Sequence, residues 1–422
     1  MTQYDAVIVG AGIIGLATAY HIKQQNPQEK ILIIDKMSTA GQGNTARSAG
    51  MFRNFFYSPT NLELVRTSTG FYESIPNLKI EWIRYLWLFH EEGYKRIEPV
   101  LKEMEDKGLE FKLFDDYDLT RMLKINTKVT EDEEARMMGL ADVSKAILVM
   151  KAGSIDVDYL VGFYESQFKE QGGEIRYKTK AERIIVEPVE PSGMPGEPYL
   201  WQKAKATGVK TDKGSIKAKK TIIAAGAWSP SILDEVGIET HIRPIKRQIF
   251  IVKADTPELK ELLHVKGLNQ EGCMPFTILT NGLYFKAVPG EEAFWLSYGD
   301  EFPRAFKLED DPRAEEYFYR YGINFVVPKY FPQFKKAKLF SSFAGLYAKN
   351  TLDGQPVVFE ENGIIVVGGT SGSGIMKADA VGRIAAALYA GQEYATLFGG
   401  EKFKVSDLGL EERKVEPEKL II

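Results

Sequence analysis

The hydrophobic pattern opens with an apolar run over residues 6–9, which gives way to Gly10-Ala11-Gly12-Ile13-Ile14-Gly15 and then to a helical pattern reaching about Gln25. A second apolar run, Ile31–Ile34, ends on Asp35. The predicted order of the first 35 residues is therefore strand, glycine turn, helix, strand. Residues 61–75 place Leu62, Val65, Thr69 and Tyr72 near helical spacing, and residues 80–107, with Trp82, Tyr85, Trp87 and Leu88 among many charges, are also predicted helical. Over 156–171, Val157, Leu160, Val161, Tyr164 and Phe168 share one helical face, and Gly172-Gly173 stops that helix before another strand. Prolines 188, 191, 195 and 198 mark a surface loop. Short runs at 248–252, 283–288 and 294–298 predict an antiparallel block. The last unit reads as a strand at 364–367, a glycine-rich turn over 368–374 and a helix with Val381, Ile384, Ala385 and Leu388 inward, and the charged tail after Gly400 is predicted to wrap the surface.

At 422 residues the chain exceeds one ordinary hydrophobic core, so two or three lobes are expected. The balance of 54 Lys+Arg against 58 Asp+Glu provides no broad positive field, and a nucleic-acid partner is not expected. Cys273 is the single cysteine, which excludes an internal disulfide or a thiolate metal cluster. The four histidines, His21, His90, His241 and His264, show no metal-ligand spacing, so no metal is expected and redox chemistry would need an organic cofactor. No apolar run reaches about 18 residues, so a bilayer-spanning helix is not expected; the reading is cytoplasmic, with peripheral attachment at a membrane left open.

Gly10, Gly12 and Gly15 fit a phosphate turn: the first permits the bend, the second lets backbone approach a pyrophosphate, and the third packs helix on strand. Ile13 and Ile14 open the helix. Asp35, followed by Lys36, lies at the next strand end, where a carboxylate accepts hydrogen bonds from ribose hydroxyls. This context predicts dinucleotide binding.

Three further segments resemble the glycine and D-amino-acid oxidase superfamily of FAD-dependent enzymes, and the resemblance spans nearly the whole chain. Gly43 and Asn44, followed by Thr45, Ala46, Arg47, Ser48, Ala49 and Gly50, resemble the loop that runs beneath the flavin and its phosphates. The strand that closes on Ala225, Gly226, Ala227, Trp228 and Ser229 resembles the family's return to the cofactor domain. The turn with Gly372, Ser373 and Gly374, continuing into Ile375 and Met376, resembles the segment whose amides face the flavin pyrimidine. The resemblance implies an α/β fold: a Rossmann-type FAD-binding domain built from 1–80, 151–235 and 340–400, a substrate domain on a mixed, largely antiparallel sheet from 81–150 and 236–339, and a tail, 401–422. Gly345 stands where covalent-flavin relatives carry cysteine, so noncovalent FAD is expected.

On the substrate side, Arg53 occupies the place of a substrate-carboxylate arginine in sarcosine-oxidase-like and dye-linked proline dehydrogenase members, while Tyr284 and Tyr347 align with positions that border substrate. The strand where sarcosine-oxidase-like enzymes place an oxygen-activating lysine reads Ala293-Phe294-Trp295-Leu296 here, so a dehydrogenase passing electrons to a quinone or partner protein is expected rather than an oxidase. Arg53 with Lys246, Arg247, Lys286, Lys349 and Lys377 forms a cationic surplus that leans towards sn-glycerol 3-phosphate or a related 2-hydroxy acid, with Lys286 as base. The alternatives are oxidation of a secondary amine or amino acid, and a flavin-bearing subunit of a larger complex. A homo-oligomer or a complex subunit is expected.

Overall fold

The computed structural model describes residues 3–300 and 304–420, and among these two eight-stranded sheets carry the architecture. In the first, parallel strands run in the order Glu174–Arg176, Ile31–Ile34, Tyr4–Val9, Gly214–Ile223, Ile364–Gly368, with Val357–Glu361 antiparallel at the edge. Every residue of Ile31–Ile34 and Ile364–Gly368 is buried, which is why these runs show no polar alternation. One face, through Ala6, Ile8, Ile31, Ile33 and Ile365, packs on helices Ile13–Gln25, Val157–Glu170 and Gly374–Tyr389. The other, through Val7, Val9, Leu32, Ile34 and Val366, packs on the meander Ala181–Pro188, Ala204–Thr211, Gly214–Ile223.

Two details lock the glycine-rich helix starts in place. Gly382 lets Gly374–Tyr389 lie directly on Ile13–Gln25, since a Cβ there would come within 2.8 Å of the Ala17 carbonyl carbon. Beneath them, fully buried Asp379 is held by His21 Nε2 at 2.7 Å, Arg383 Nε at 2.7 Å and the Tyr164 hydroxyl at 3.3 Å. A buried carboxylate with donors on both oxygens is satisfied, and it staples three helices together.

The second sheet runs Leu339–Asn350, Ile242–Lys253, Ala293–Tyr298, Leu283–Val288, Phe276–Ile278, Tyr85–Phe89, Lys145–Val149, Phe111–Asp115. All pairs are antiparallel except Phe276–Ile278 with Tyr85–Phe89. A Rossmann-type α/β unit joined to a mixed, largely antiparallel sheet is the architecture implied above. Strand Leu339–Asn350 belongs to this second sheet, although 340–350 were assigned to the cofactor domain.

Two sequence expectations are corrected. Tyr85, Trp87 and Leu88 form a buried central strand, with a short strand at Ile80–Glu81, and the helix begins only at Glu91, where His90 Nδ1 accepts from Gly93 N–H. A strand buried on both faces loses the alternation that distinguishes it from a helix, and its charged neighbours supplied a false amphipathic pattern. The tail is not confined to the surface. Glu416 accepts from the Thr60 hydroxyl, Glu418 accepts from the backbone N–H groups of Tyr57 and Ser58 at the start of helix Pro59–Glu73, and Leu420 is buried beside Met51, Tyr85 and Trp87.

Candidate active site

A cavity of about 460 Å³ follows the carboxyl ends of the parallel strands, where Val9, Ile34, Ala224 and Val367 reach its wall. That is the side on which open α/β sheets bind ligands. At one end the backbone demands glycine: Gly10 adopts φ +114°, and a Cβ would sit 2.5 Å from the Ala224 carbonyl oxygen. Gly15 likewise admits no side chain, with the Gly10 oxygen 2.0 Å from a virtual Cβ. Gly12 differs, because a Cβ there would meet only Thr45 Oγ1 at 3.4 Å; its side faces open cavity, the cradle a pyrophosphate needs. Asp35 accepts from Ala11 N–H at 2.6 Å and Met37 N–H at 2.7 Å, which fixes its carboxylate at the strand end, where it could accept from a ribose diol.

The loop after the second strand crosses the middle. Thr45 Oγ1 accepts from Ile13 N–H at 3.2 Å, and Asn44 Oδ1 accepts from Leu346 N–H at 2.8 Å, tying the two sheets together at the cavity wall. The approach is close at Gly345 too: a Cβ would lie 3.3 Å from Asn44 Oδ1 and 3.4 Å from Arg47 Cβ, so a side chain there would make these neighbours give by a few tenths of an ångström.

At the far end, Arg247, Tyr284, Phe343 and Tyr347 line the wall with Gly372, Gly374 and Ile375. The Arg247 guanidinium lies 5.5 Å from the Tyr347 ring centroid and donates to the Asp300 carbonyl at 2.8 Å. Burial raises the pKa of both Tyr284 and Tyr347, so these phenols stay neutral hydrogen-bonding groups. Gly372, at φ +89°, exists to accommodate the Tyr347 ring, whose Cε2 would be 2.2 Å from a Cβ.

The cavity wall thus brings together Gly10, Gly12, Ile13, Ile14, Asp35, Lys36, Thr45, Arg47, Ser48, Ala49, Ala225, Gly226, Trp228, Gly345, Gly372, Gly374 and Ile375, with both tyrosines. Gly15, Ala46, Gly50, Ser373 and Met376 are not part of that wall. Nor are Arg53 and Lys286. Arg53 lies behind it, buried between the rings of Phe56 at 4.4 Å and Trp87 at 4.8 Å, with Nη2 donating to the Leu420 carbonyl at 3.2 Å and Nε unpartnered. Burial lowers its pKa. Lys286 donates to the Ala49 carbonyl at 2.8 Å, and burial lowers its pKa to about 8.

The expected cationic surplus is corrected by these placements. Lys246 is paired with Glu315 at 2.7 Å, and fully buried Lys377 bonds Asn61 Oδ1 at 2.5 Å and Gln355 Oε1 at 3.1 Å. Lys286, expected as the base, instead donates to the Ala49 carbonyl from the strand next to Ala293–Tyr298 and is not part of the cavity wall. Sequence reading missed Phe343, Leu308 and Asp310 as cavity residues. Leu308 and Asp310 come from a loop with no motif, and only the fold brings them here.

The family model described as FAD dependent oxidoreductase matches residues 5–388, and the chain belongs to that DAO family. It is a FAD-dependent oxidoreductase with the residues to hold the dinucleotide. FAD-dependent oxidoreductase domain-containing protein 1 of Xenopus laevis is 24% identical over 93% of this chain and 80% of that protein. L-2-hydroxyglutarate dehydrogenase of Indibacter alkaliphilus is 22% identical over 62% of this chain and 61% of that protein. The crystal structure of L-proline dehydrogenase from P. horikoshii superposes with a TM-score of 0.73 at 21% identity, covering 96% of both chains, which shows the shared fold. Among the described residues no helix is long and apolar enough to cross a membrane.

Proposed function

We propose that this flavoenzyme oxidises a small amine that carries a carboxylate, an amino acid or N-alkyl amino acid, rather than glycerol 3-phosphate. The carrying observation is the composition of the cavity's far end: one cation, Arg247, two neutral phenols and apolar walls, with no carboxylate or imidazole among the described residues there. A phosphate dianion calls for several cations, and Lys246 and Lys377 are already committed to other partners. A hydroxy acid must also lose its hydroxyl proton to a base in the transition state, whereas a neutral amine leaves as an iminium once hydride departs and needs no protein base.

FAD, when bound, accepts the hydride. The chain's own residues orient and shelter the substrate. Arg247, held by its Nη1 bond to the Asp300 carbonyl, brings positive charge to the carboxylate, Tyr284 and Tyr347 offer hydroxyl groups to it, and Phe343 with the tyrosine rings excludes water. This reading moves the clamp from Arg53 to Arg247, because Arg53 is shielded by Phe56, Trp87 and Leu420. A relative that acts on proline supports the amine class, and one that acts on 2-hydroxyglutarate supports the carboxylate.

The test is anaerobic flavin bleaching by proline, sarcosine, glycine, D-amino acids, 2-hydroxy acids and glycerol 3-phosphate. Amines carrying a carboxylate are expected to bleach it fastest. Arg247→Ala is expected to lower kcat/KM about thirtyfold or more, as loss of a charge-assisted bond of ~2 kcal/mol or above implies. Fastest bleaching by glycerol 3-phosphate, or unchanged kinetics in the variant, overturns the reading.

A further inference from the structure

Residues 304–315 leave the second sheet, cross the cavity mouth and return. Their root is fastened on strand Ile242–Lys253 and its surroundings. Arg304 joins Glu315 at 3.0 Å, Lys246 joins Glu315 at 2.7 Å, and the Gln248 side-chain oxygen accepts from Glu315 N–H at 2.6 Å. Glu315 is partly desolvated, yet its bonds from Arg304 and Lys246 hold its pKa down to about 2, so the root stays charged throughout the physiological range. The tip reaches the first sheet's loops. Asp310 Oδ1 accepts from Lys36 Nζ at 2.6 Å and from Trp228 Nε1 at 3.2 Å, and Asp311 Oδ1 accepts from Arg47 Nη2 at 3.1 Å. Leu308 and Asp310 form part of the cavity wall beside Asp35 and Trp228.

Root and tip differ in exposure. Both partners of the root pair are partly buried, Arg304 12% and Glu315 22% exposed, whereas the tip carboxylates Asp310 and Asp311 are 78% and 72% exposed against half-buried Lys36 and Arg47. Exposed pairs are individually weak and are screened by salt, while partly buried networks are screened far less. A loop built this way opens at its tip and keeps its attachment, as compact surface loops with closed ends do.

We propose that residues 304–315 are a tethered cover over the dinucleotide, latched by Asp310 on Lys36 and Trp228 and by Asp311 on Arg47, and that unlatching governs exchange of FAD. Leu308 and Asp310 thereby join the cofactor site from the second sheet. The inference rests on the cavity holding FAD, and acid precipitation checks that separately: an enzyme releasing no FAD defeats the cofactor assignment rather than the cover.

The experiment mixes purified holoenzyme with excess 8-chloro-FAD and follows exchange by the flavin spectrum, at low salt and in 0.5 M NaCl. The double variant Asp310→Asn, Asp311→Asn is expected to exchange about tenfold faster than wild type at low salt. In 0.5 M NaCl wild type should speed up towards the variant, whose own rate barely moves. A second variant, with 307–313 replaced by a short Gly-Ser linker that leaves Arg304, Glu315 and the Phe306 bridge to Ile245 in place, should take up FAD faster from the apo state. Equal exchange rates at low salt, a gap that survives 0.5 M NaCl, or slower uptake in the linker variant overturns the proposal.

Discussion

Two sets of helix starts in this chain are satisfied differently. Six helices away from the cavity are capped by side chains: Ser58, Asp115, Asp132, Asp156 and Thr256 each accept from a backbone N–H in the first turn, and His90 does so through Nδ1, while the short helices Glu316–Phe318 and Asn324–Tyr330 have no side-chain cap. The two long helices that begin on the cavity wall, Ile13–Gln25 and Gly374–Tyr389, have no side-chain cap and no acidic residue in the first turn. Ser373 stands at the cap position of the second but turns its hydroxyl to donate to the Thr370 carbonyl at 2.6 Å. Absence of a good cap costs a helix about 1 kcal/mol; apart from Ile13 N–H, which donates to Thr45 Oγ1 of the neighbouring loop, the first-turn amides here have no side-chain cap and could face an anionic or electron-rich ligand. The difference separates ends satisfied by a side chain of their own from ends that border the cavity.

Converting one kind into the other should have the largest effect. Gly12→Asp fits sterically, since a Cβ there meets only Thr45 Oγ1 at 3.4 Å, and it supplies both a cap and a negative charge. The apoprotein should keep or gain thermal stability while FAD affinity falls by roughly a thousandfold or more, measured by flavin fluorescence titration; retained FAD binding would end the distinction.

A smaller effect separates the bare helix end from the cation beside it. Both place positive potential near the cavity, but only Lys286 titrates. Burial lowers its pKa to about 8, so its ammonium is present below that pH and lost above it. Reaction of the reduced enzyme with oxygen should therefore fall several-fold, up to about tenfold, between pH 7 and pH 9, and Lys286→Met should be slow and flat across that range. A pH-independent rate in wild type would assign the positive potential to the helix end alone.

The smallest change tests the capped group. Asp156→Ala removes the bond from Tyr159 N–H at 3.0 Å and should lower stability by about 1 kcal/mol in urea unfolding, with FAD content unaltered. Loss of flavin in that variant would mean that capped and bare ends are not functionally separate.

How far each part was legible follows from where its information lies along the chain. The phosphate turn was readable because Gly10, Gly12, Gly15 and Asp35 act within one strand-helix-strand unit, and their constraints are local backbone geometry. The glycine-rich turn before Gly374 was readable for the same reason. The strand Tyr85–Phe89 is hidden in the sequence because burial on both faces erases periodicity, and only its neighbours Phe276–Ile278 and Lys145–Val149 reveal it. The tail's charges suggest solvent, yet Glu416 and Glu418 satisfy donors at the start of Pro59–Glu73.

By itself the sequence determined the class of cofactor, through local motifs whose residues must be glycine or aspartate wherever the rest of the chain goes. Only the tertiary structure decided which cations face the cavity. Arg53, Lys246, Lys286 and Lys377 look alike as basic residues in a string, but folding delivers each to a different partner: the Leu420 carbonyl, Glu315, the Ala49 carbonyl and Asn61. Arg247 reaches the wall because its strand passes between Leu339–Asn350 and Ala293–Tyr298, bringing it beside Tyr347. The range of a cation's influence is a few ångströms, and those ångströms are set by contacts between residues far apart in the sequence.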